Sequence, residues 1–354
     1  MKLLKLPGLI DVHVHLREPG GEQKEDFSTG TKAAIAGGVT MVVDMPNNVQ
    51  PITTPERLAR KITLAKDRIY CDLGFHFAAN KEAVPNFQSV APKVIGYKLY
   101  MNHTTGNLIV SSDEAELVFK NIPKDRIVIV HAEGPTLDIA IEMAKKYQKR
   151  IHVAHVSLAS EVKAITEAKK SGLQITAEVT PHHLFLTNED VKTLGSLGMM
   201  KPPLQSQKDV EALWTGIKEG TIDMVATDHA PHTLEEKRSD KPPFGVPGVE
   251  TTLPLLLTAV NEGRLTIEQL LKVTHDNPKK IFSLPDQENT YIEVDIDQEY
   301  VLENENMFSK SGWTPFVGKK IKAKIVGVYL RGEKVFDGKK IIGEPRGRII
   351  TTTN

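Results

Sequence analysis

The segment GLIDVHVHLREPG (residues 8–20) sets two imidazoles and a guanidinium at alternate positions of a strand-forming run. Successive side chains of a strand point to opposite faces. Asp11, His13, His15 and Arg17 are therefore expected on one face, and Ile10, Val12, Val14 and Leu16 on the other. An apolar face backed by ligands and charges suits a strand whose polar side lines a reaction cavity. A half-exposed strand with unrelated histidines gives the same spacing, because HxH alone is a weak motif. Four more residues bear on the choice: Lys98 in GYKLYM, His131 in VIVHAE, His155 in VAHVS and Asp228 in ATDHAPH. Histidine and aspartate suit borderline divalent metals such as Zn²⁺. The lysine is the odd member, since an ammonium repels a cation. It is either a structural or substrate-binding lysine, or its neutral amine takes up CO₂ to give a carbamate able to bridge two metals. Burial beside cations would favour the second by lowering the amine's pKa.

What could bring these residues together is a repeated strand–helix pattern. Eight β-rich runs are expected at 9–16, 39–45, 71–78, 94–101, 126–133, 150–157, 174–180 and 223–230, with helical stretches between most of them. Residues 27–36 run into Gly37-Gly38, Thr54-Pro55 is a helix start, and 160–170 has helical spacing. The link over 80–93 has the weakest helical pattern. This series predicts a TIM-type (β/α)8 barrel over 1–284. A doubly wound sheet is disfavoured because no GxGxxG follows a strand. From 285 to 354 helical periodicity gives way to YIEVDI, KIKAKIVGVYLRG and EKVFDGKKII, read as a small β-rich appendage, with GRIITTTN a loose tail. In a barrel the C-terminal strand ends share one rim. His13, His15, Lys98, His131, His155 and Asp228 all fall at that rim, from five strands.

Composition narrows the alternatives. The 354 residues hold 45 Lys+Arg against 45 Asp+Glu, so no overall charge draws in nucleic acid or an anionic membrane. The single cysteine excludes an intrachain disulfide and suits a reducing compartment. No apolar run reaches the ~18 residues of a membrane span, and the first residues leave no room for a signal peptide. A cytoplasmic enzyme acting on a small molecule is the expectation.

HVHLREPG, MPNN (45–48), GYKLYMN, VHAE, AHVS and TDHAPHTLEEK, together with PHHLFL, DVEALW and FSKSGWTPFVGKK, resemble the dihydroorotases of the amidohydrolase superfamily. The likeness is nearest to the dihydroorotase domain of the multifunctional animal pyrimidine-synthesis proteins and runs over almost the whole chain. It implies the following. His13, His15 and Asp228 bind one Zn²⁺, and His131 and His155 a second. Carboxylated Lys98 and a hydroxide bridge the two. Asp228 is the general acid/base in the reversible cyclisation of N-carbamoyl-L-aspartate to L-dihydroorotate. Arg17, Asn47 and His232 take the substrate carboxylate, and Lys201, Phe244 and Gly245 line the substrate site. A homodimer and association with other pyrimidine-pathway enzymes are also implied.

Three positions depart from those relatives. Ala154 stands where the animal domain has a cysteine beside a third metal site, so Glu178 and His183 are candidate ligands for a third metal that is not expected to bind. Lys201 replaces an arginine, and Thr105 replaces a phenylalanine in the loop over the substrate. Among the other histidines, His76, His103 and His275 are expected to be structural or solvent-facing. His152 should point towards the helices, and His229 should anchor a neighbouring strand. Two other functions stay in view. A hydantoinase- or allantoinase-like enzyme would use the same metals without the Arg17, Asn47 and His232 set. A catalytically silent homologue kept as an assembly partner would have lost ligands.

Overall fold

The structure is a computed structural model that describes residues 3–103 and 108–353. Strand β1 (Leu3–Pro7) leads into a barrel of eight parallel strands in chain order. These are β2 (Leu9–Val14), β3 (Val39–Asp44), β4 (Asp72–Ala78), β5 (Gly96–Tyr100), β6 (Ile127–His131), β7 (Arg150–Val153), β8 (Ile175–Val179) and β9 (Met224–Val225). All eight lie within the runs expected from sequence. The ring closes through a parallel bridge between Val14 and His229, where the His15 N–H donates to the His229 carbonyl at 2.8 Å.

Local sequence explains the helices between strands. Asp26 caps Phe27–Ala36 by accepting from the Thr29 N–H at 2.9 Å. Thr54 caps Pro55–Ala65, with proline in the first turn. The link over 80–93 is three single turns, two of which open with a proline, rather than one helix. Pro85 and Pro92 have no N–H to continue a helical ladder.

Side chains sort by strand parity. On β6, Val128 and Val130 join the large cluster between sheet and helices, whereas Ile127 and Ile129 join a second cluster within the barrel. His131 continues the inner row. Met41, Val43, Met224, Ala226, Phe282 and Leu284 fill the same interior, leaving the rim to polar groups.

Strand β2 departs from the simple alternation expected of it. Ile10 and Val12 join the interior cluster, Val14 and Leu16 the outer one. The register against β3 shifts between Asp11 and Val14, so Val12 and His13 both turn inward. Asp11 consequently lies off the His13 face. Its carboxylate accepts from the Thr227 N–H and hydroxyl and from the His13 N–H.

The smaller sheet has the order β1, β10 (Tyr291–Val301), β11 (Lys320–Leu330) and β12 (Glu333–Phe336), all antiparallel, and is built from both ends of the chain. The residues beyond it are docked rather than loose. Leu73 and Ile350 exchange backbone bonds with residues 348–350 and β4, and Ile350 packs in the interior cluster. Asp72 binds Arg331 at 3.0 Å and the Arg348 N–H at 2.8 Å. The tail's polar composition hid Ile350, which completes the barrel floor, and Ile349, which packs on the outer cluster.

Candidate metal centre and substrate cleft

His13 lies in β2, His15 one residue past it, Lys98 in β5 and His131 at the end of β6. His155 and Asp228 sit just beyond β7 and β9, with φ of 39° and 45°. Non-glycine residues rarely hold this left-handed conformation, and it concentrates at functional sites. Here it turns both side chains back over the barrel mouth. Asp228 Oδ1 is 3.3 Å from His13 Nε2 and 2.8 Å from His15 Nε2. These three residues form a buried group whose ligand atoms lie within 4.8 Å of one another, able to hold a metal ion. Across the mouth, His131 Nδ1 and His155 Nε2 face each other at 2.7 Å, and the His13 and His155 rings are 5.5 Å apart. Glu133 accepts from His131 Nε2 at 3.0 Å, as an outer carboxylate orients a metal-ligating histidine.

Lys98 Nζ is buried without a hydrogen-bond partner, beneath the Tyr100 ring. An unpaired buried ammonium is costly. Burial lowers the Lys98 amine to about 8 against the pull of Glu178 and Asp228. Burial likewise brings His15 to about 4 despite Asp228, and holds His155 well below the ordinary imidazole range. The His15 and His155 imidazoles are thus neutral near pH 7, as metal binding requires, and the Lys98 amine is brought nearer its neutral form. Burial alone would raise the Asp228 carboxyl, but His13 and His15 reverse that and hold it well below the usual carboxylate range. An orphaned amine among imidazoles and one ionised carboxylate is a donor set that fits divalent metals.

Beside this group is a cleft lined by His15, Arg17, Asn47, Lys201, Asp228, Ala230, Phe244 and Gly245. It adjoins a cavity of about 490 Å³ that shares His15, Arg17 and Asn47 and reaches Lys24. Asn47 Oδ1 is 2.7 Å from His15 Nδ1. Arg17 has φ 64° and donates from Nε to the Pro231 carbonyl at 3.1 Å, with Nη2 3.1 Å from His232 Nε2. Burial lowers its guanidinium to about 10, so it stays charged at neutral pH. Lys201 Nζ lies 5.3 Å from the Phe244 ring centroid. Gly245 has φ 128°, and a Cβ there would meet the Ala230 carbonyl at 2.6 Å, so only glycine lets this loop close on the cleft. Every substrate-site residue expected from sequence lies in or against this cleft, apart from Thr105, which is outside the described residues.

Glu178 accepts from His13 Nδ1, from His152 Nε2 at 3.0 Å and from the His155 N–H at 3.2 Å. His152 also packs on Phe282, which corrects the expectation that it faces the helices. The expectation took its phase from His155, which lies beyond the strand end. By β7's own alternation His152 and Ala154 point inward. His183 is bonded to Thr180 and the Pro202 carbonyl, and His229 Nδ1 accepts from the Gly248 N–H at 3.2 Å. Among the described residues, Glu178 and His183 join no group of three converging ligands.

Two residues that sequence reading missed brace the cleft wall. Lys61 is fully buried, forms an ion pair with Asp44 at 2.8 Å, and donates to the Met45 carbonyl and Asn48 Oδ1, each at 2.8 Å. Asp44 also accepts from the Leu16 N–H at 2.9 Å. One ion pair thus ties the turn bearing Asn47 to the segment bearing Arg17. The only trace in the sequence is an aspartate closing the apolar run VTMVVD, ordinary by itself.

Comparison with known proteins agrees with this geometry. A model of the amidohydrolase family matches residues 4–288. The multifunctional protein CAD of Squalus acanthias is 47% identical over 96% of this chain, which spans only 15% of that protein's length. A dihydroorotase of Pyrococcus furiosus is 38% identical, covering 98% of this chain and 84% of its own. Among solved structures, the inactive dihydroorotase-like domain of a Chaetomium thermophilum CAD-like multifunctional protein superposes with a TM-score of 0.84 at 29% identity, covering 99% of both chains. Among the described residues, no helix is long and apolar enough to cross a membrane.

Proposed function

Since the chain belongs to the amidohydrolase family and, within it, to the dihydroorotases, we propose that it interconverts L-dihydroorotate and N-carbamoyl-L-aspartate. The observation that carries this reading is the cleft in which Arg17 and Asn47 stand beside His15 and Asp228. A site for a cyclic amide needs the ligand group; only a substrate with a carboxylate needs a buried, charged guanidinium next to it.

His13, His15 and Asp228 would hold one Zn²⁺, His131 and His155 a second, with carboxylated Lys98 between them. Bound there, the metals supply an acidified water and polarise the ring carbonyl. The chain's own residues do the rest. Arg17 forks onto the substrate carboxylate, a bidentate geometry that fixes the ring's orientation. Asn47 and His232 complete that pocket, and the loop at Phe244 and Gly245 offers backbone groups to the ring. Asp228, ionised and at the cleft floor, takes the nucleophile's proton and returns it to the leaving ring nitrogen. Lys201 keeps a positive charge at the cleft wall but lacks the planar fork of an arginine. A homodimer, a cytoplasmic setting and contact with other pyrimidine-pathway enzymes belong to the same reading, the last supported by the likeness to CAD.

Assay of the zinc-loaded protein with dihydroorotate, hydantoin and allantoin tests the proposal. Turnover of dihydroorotate far above the other two is expected. Preference for hydantoin or allantoin would reassign the substrate. No turnover of any by metal-replete protein would place this chain with silent homologues, such as the inactive dihydroorotase-like domain from Chaetomium thermophilum.

A further inference from the structure

Lys24, in the REPGGEQKEDF segment, has no part in the reading above, yet it reaches the cleft. Its Nζ lies 3.1 Å from His232 Nδ1 and 3.2 Å from Glu236 Oε1, and it lines the larger cavity with Arg17. The His232 side chain is completely buried, and burial, then Arg17, Lys24 and Lys237, hold its imidazole well below the ordinary range. The ring is therefore neutral and carries one proton, on one of two nitrogens.

Its neighbours decide which. An ammonium can only donate, so its contact requires a lone pair on Nδ1. The Phe244 carbonyl, 3.0 Å from Nε2, can only accept, so it requires the proton on Nε2. Both demands select the Nε2–H form, against the single opposing demand of Arg17 Nη2, a donor 3.1 Å from Nε2. The opposite form would aim an N–H at Lys24 and a lone pair at a carbonyl, and Glu236 Oε2 at 3.6 Å from Nδ1 is too far to compensate. With the proton on Nε2 and donated to the Phe244 carbonyl, His232 offers no lone pair to Arg17 Nη2, 3.1 Å away. That guanidinium N–H, left without His232 as acceptor at the edge of the cleft, is one that an anionic oxygen can satisfy.

From this geometry we infer that Lys24 is a positioning residue: it holds His232 in the Nε2–H form, bonded to the Phe244 carbonyl, so that Arg17 Nη2 is not spent on His232 and stays free to donate to a substrate carboxylate. The inference rests on the cleft being a carboxylate site, but the proton's position can be read without any substrate.

The test is nitrogen NMR of zinc-loaded, ligand-free protein carrying ¹⁵N-histidine, with the His232 signals identified by their loss in His232→Asn. The unaltered protein and Lys24→Arg should both show the proton on Nε2. Lys24→Met should move it wholly or partly to Nδ1, because Arg17 Nη2 then donates to a bare Nε2 without opposition from an ammonium at Nδ1, and should raise KM for dihydroorotate about tenfold with a much smaller change in kcat. Lys24→Leu, which likewise offers Nδ1 no donor, gives the same readout should the methionine variant fail to fold. If His232 keeps its Nε2 proton in these variants, the inference is overturned, and a raised KM would then mean that Lys24 meets the substrate itself. If the unaltered protein does not turn over dihydroorotate, the functional reading fails while the spectra still decide the proton's position.

Discussion

At the scale of single residues, the site separates two tasks that both need charge. His13, His15 and Asp228 converge as donors that could hold a cation, while Arg17 keeps its guanidinium ionised beside the same cleft, where the proposed substrate would bring an anion. Burial works against both charges and sharpens both contacts, because a buried charge without its partner is expensive. Arg17→Ala should therefore weaken the substrate complex by about 2–5 kcal/mol, leaving a bound carboxylate underpaired. Steady-state kinetics with dihydroorotate would register this as a large rise in KM at unaltered metal content. An unchanged KM would mean that the carboxylate binds elsewhere.

At the scale of elements, positioning falls to features that residue types announce unequally. The inner row of β6 and the place of Lys98 in β5 follow from alternation, so the gathering of these side chains at the barrel mouth was legible in the sequence. Where alternation misled, the cause was local geometry. The register shift in β2 turns two consecutive residues inward and removes Asp11 from the ligand face. The left-handed His155 lies past β7 and gave His152 the wrong phase. Neither a bulge nor a positive φ at histidine leaves a compositional trace. The Asp44–Lys61 pair was equally hidden, since each charge is ordinary alone and the pair forms only when helix and strand dock. Lys61→Met would strand the Asp44 carboxylate in the wall and should destabilise the fold by about 3–5 kcal/mol. Denaturant unfolding measures this directly; a midpoint equal to that of the unaltered protein would show that the pair is dispensable.

At the scale of the whole molecule, the barrel interior is apolar at the floor and polar at the mouth, and His76 lies between. Its Nε2 donates to the Val12 carbonyl at 3.0 Å, and burial pushes its imidazole down from 6.5 to about 3. The unfolded chain then takes up a proton first as pH falls, so the stability that His76 contributes is complete above 6.5 and is lost towards 3. Between pH 7 and pH 4 this amounts to something on the order of 3 kcal/mol. His76→Gln can still donate to Val12 and cannot titrate, so metal-free His76→Gln should lose correspondingly less stability across that interval in denaturant titrations. Equal losses would mean that His76 is not held neutral. The floor, the docked tail and the smaller sheet matter to function because they fix five strand ends around one point, and the account stands or falls on what occupies it. Anomalous diffraction at the zinc edge from crystals of the zinc-loaded protein tests that most directly. Two zinc peaks about 3.5–4 Å apart, with carboxylate density extending from Lys98 Nζ between them, are predicted. A bare lysine amine in a metal-replete crystal would contradict the account.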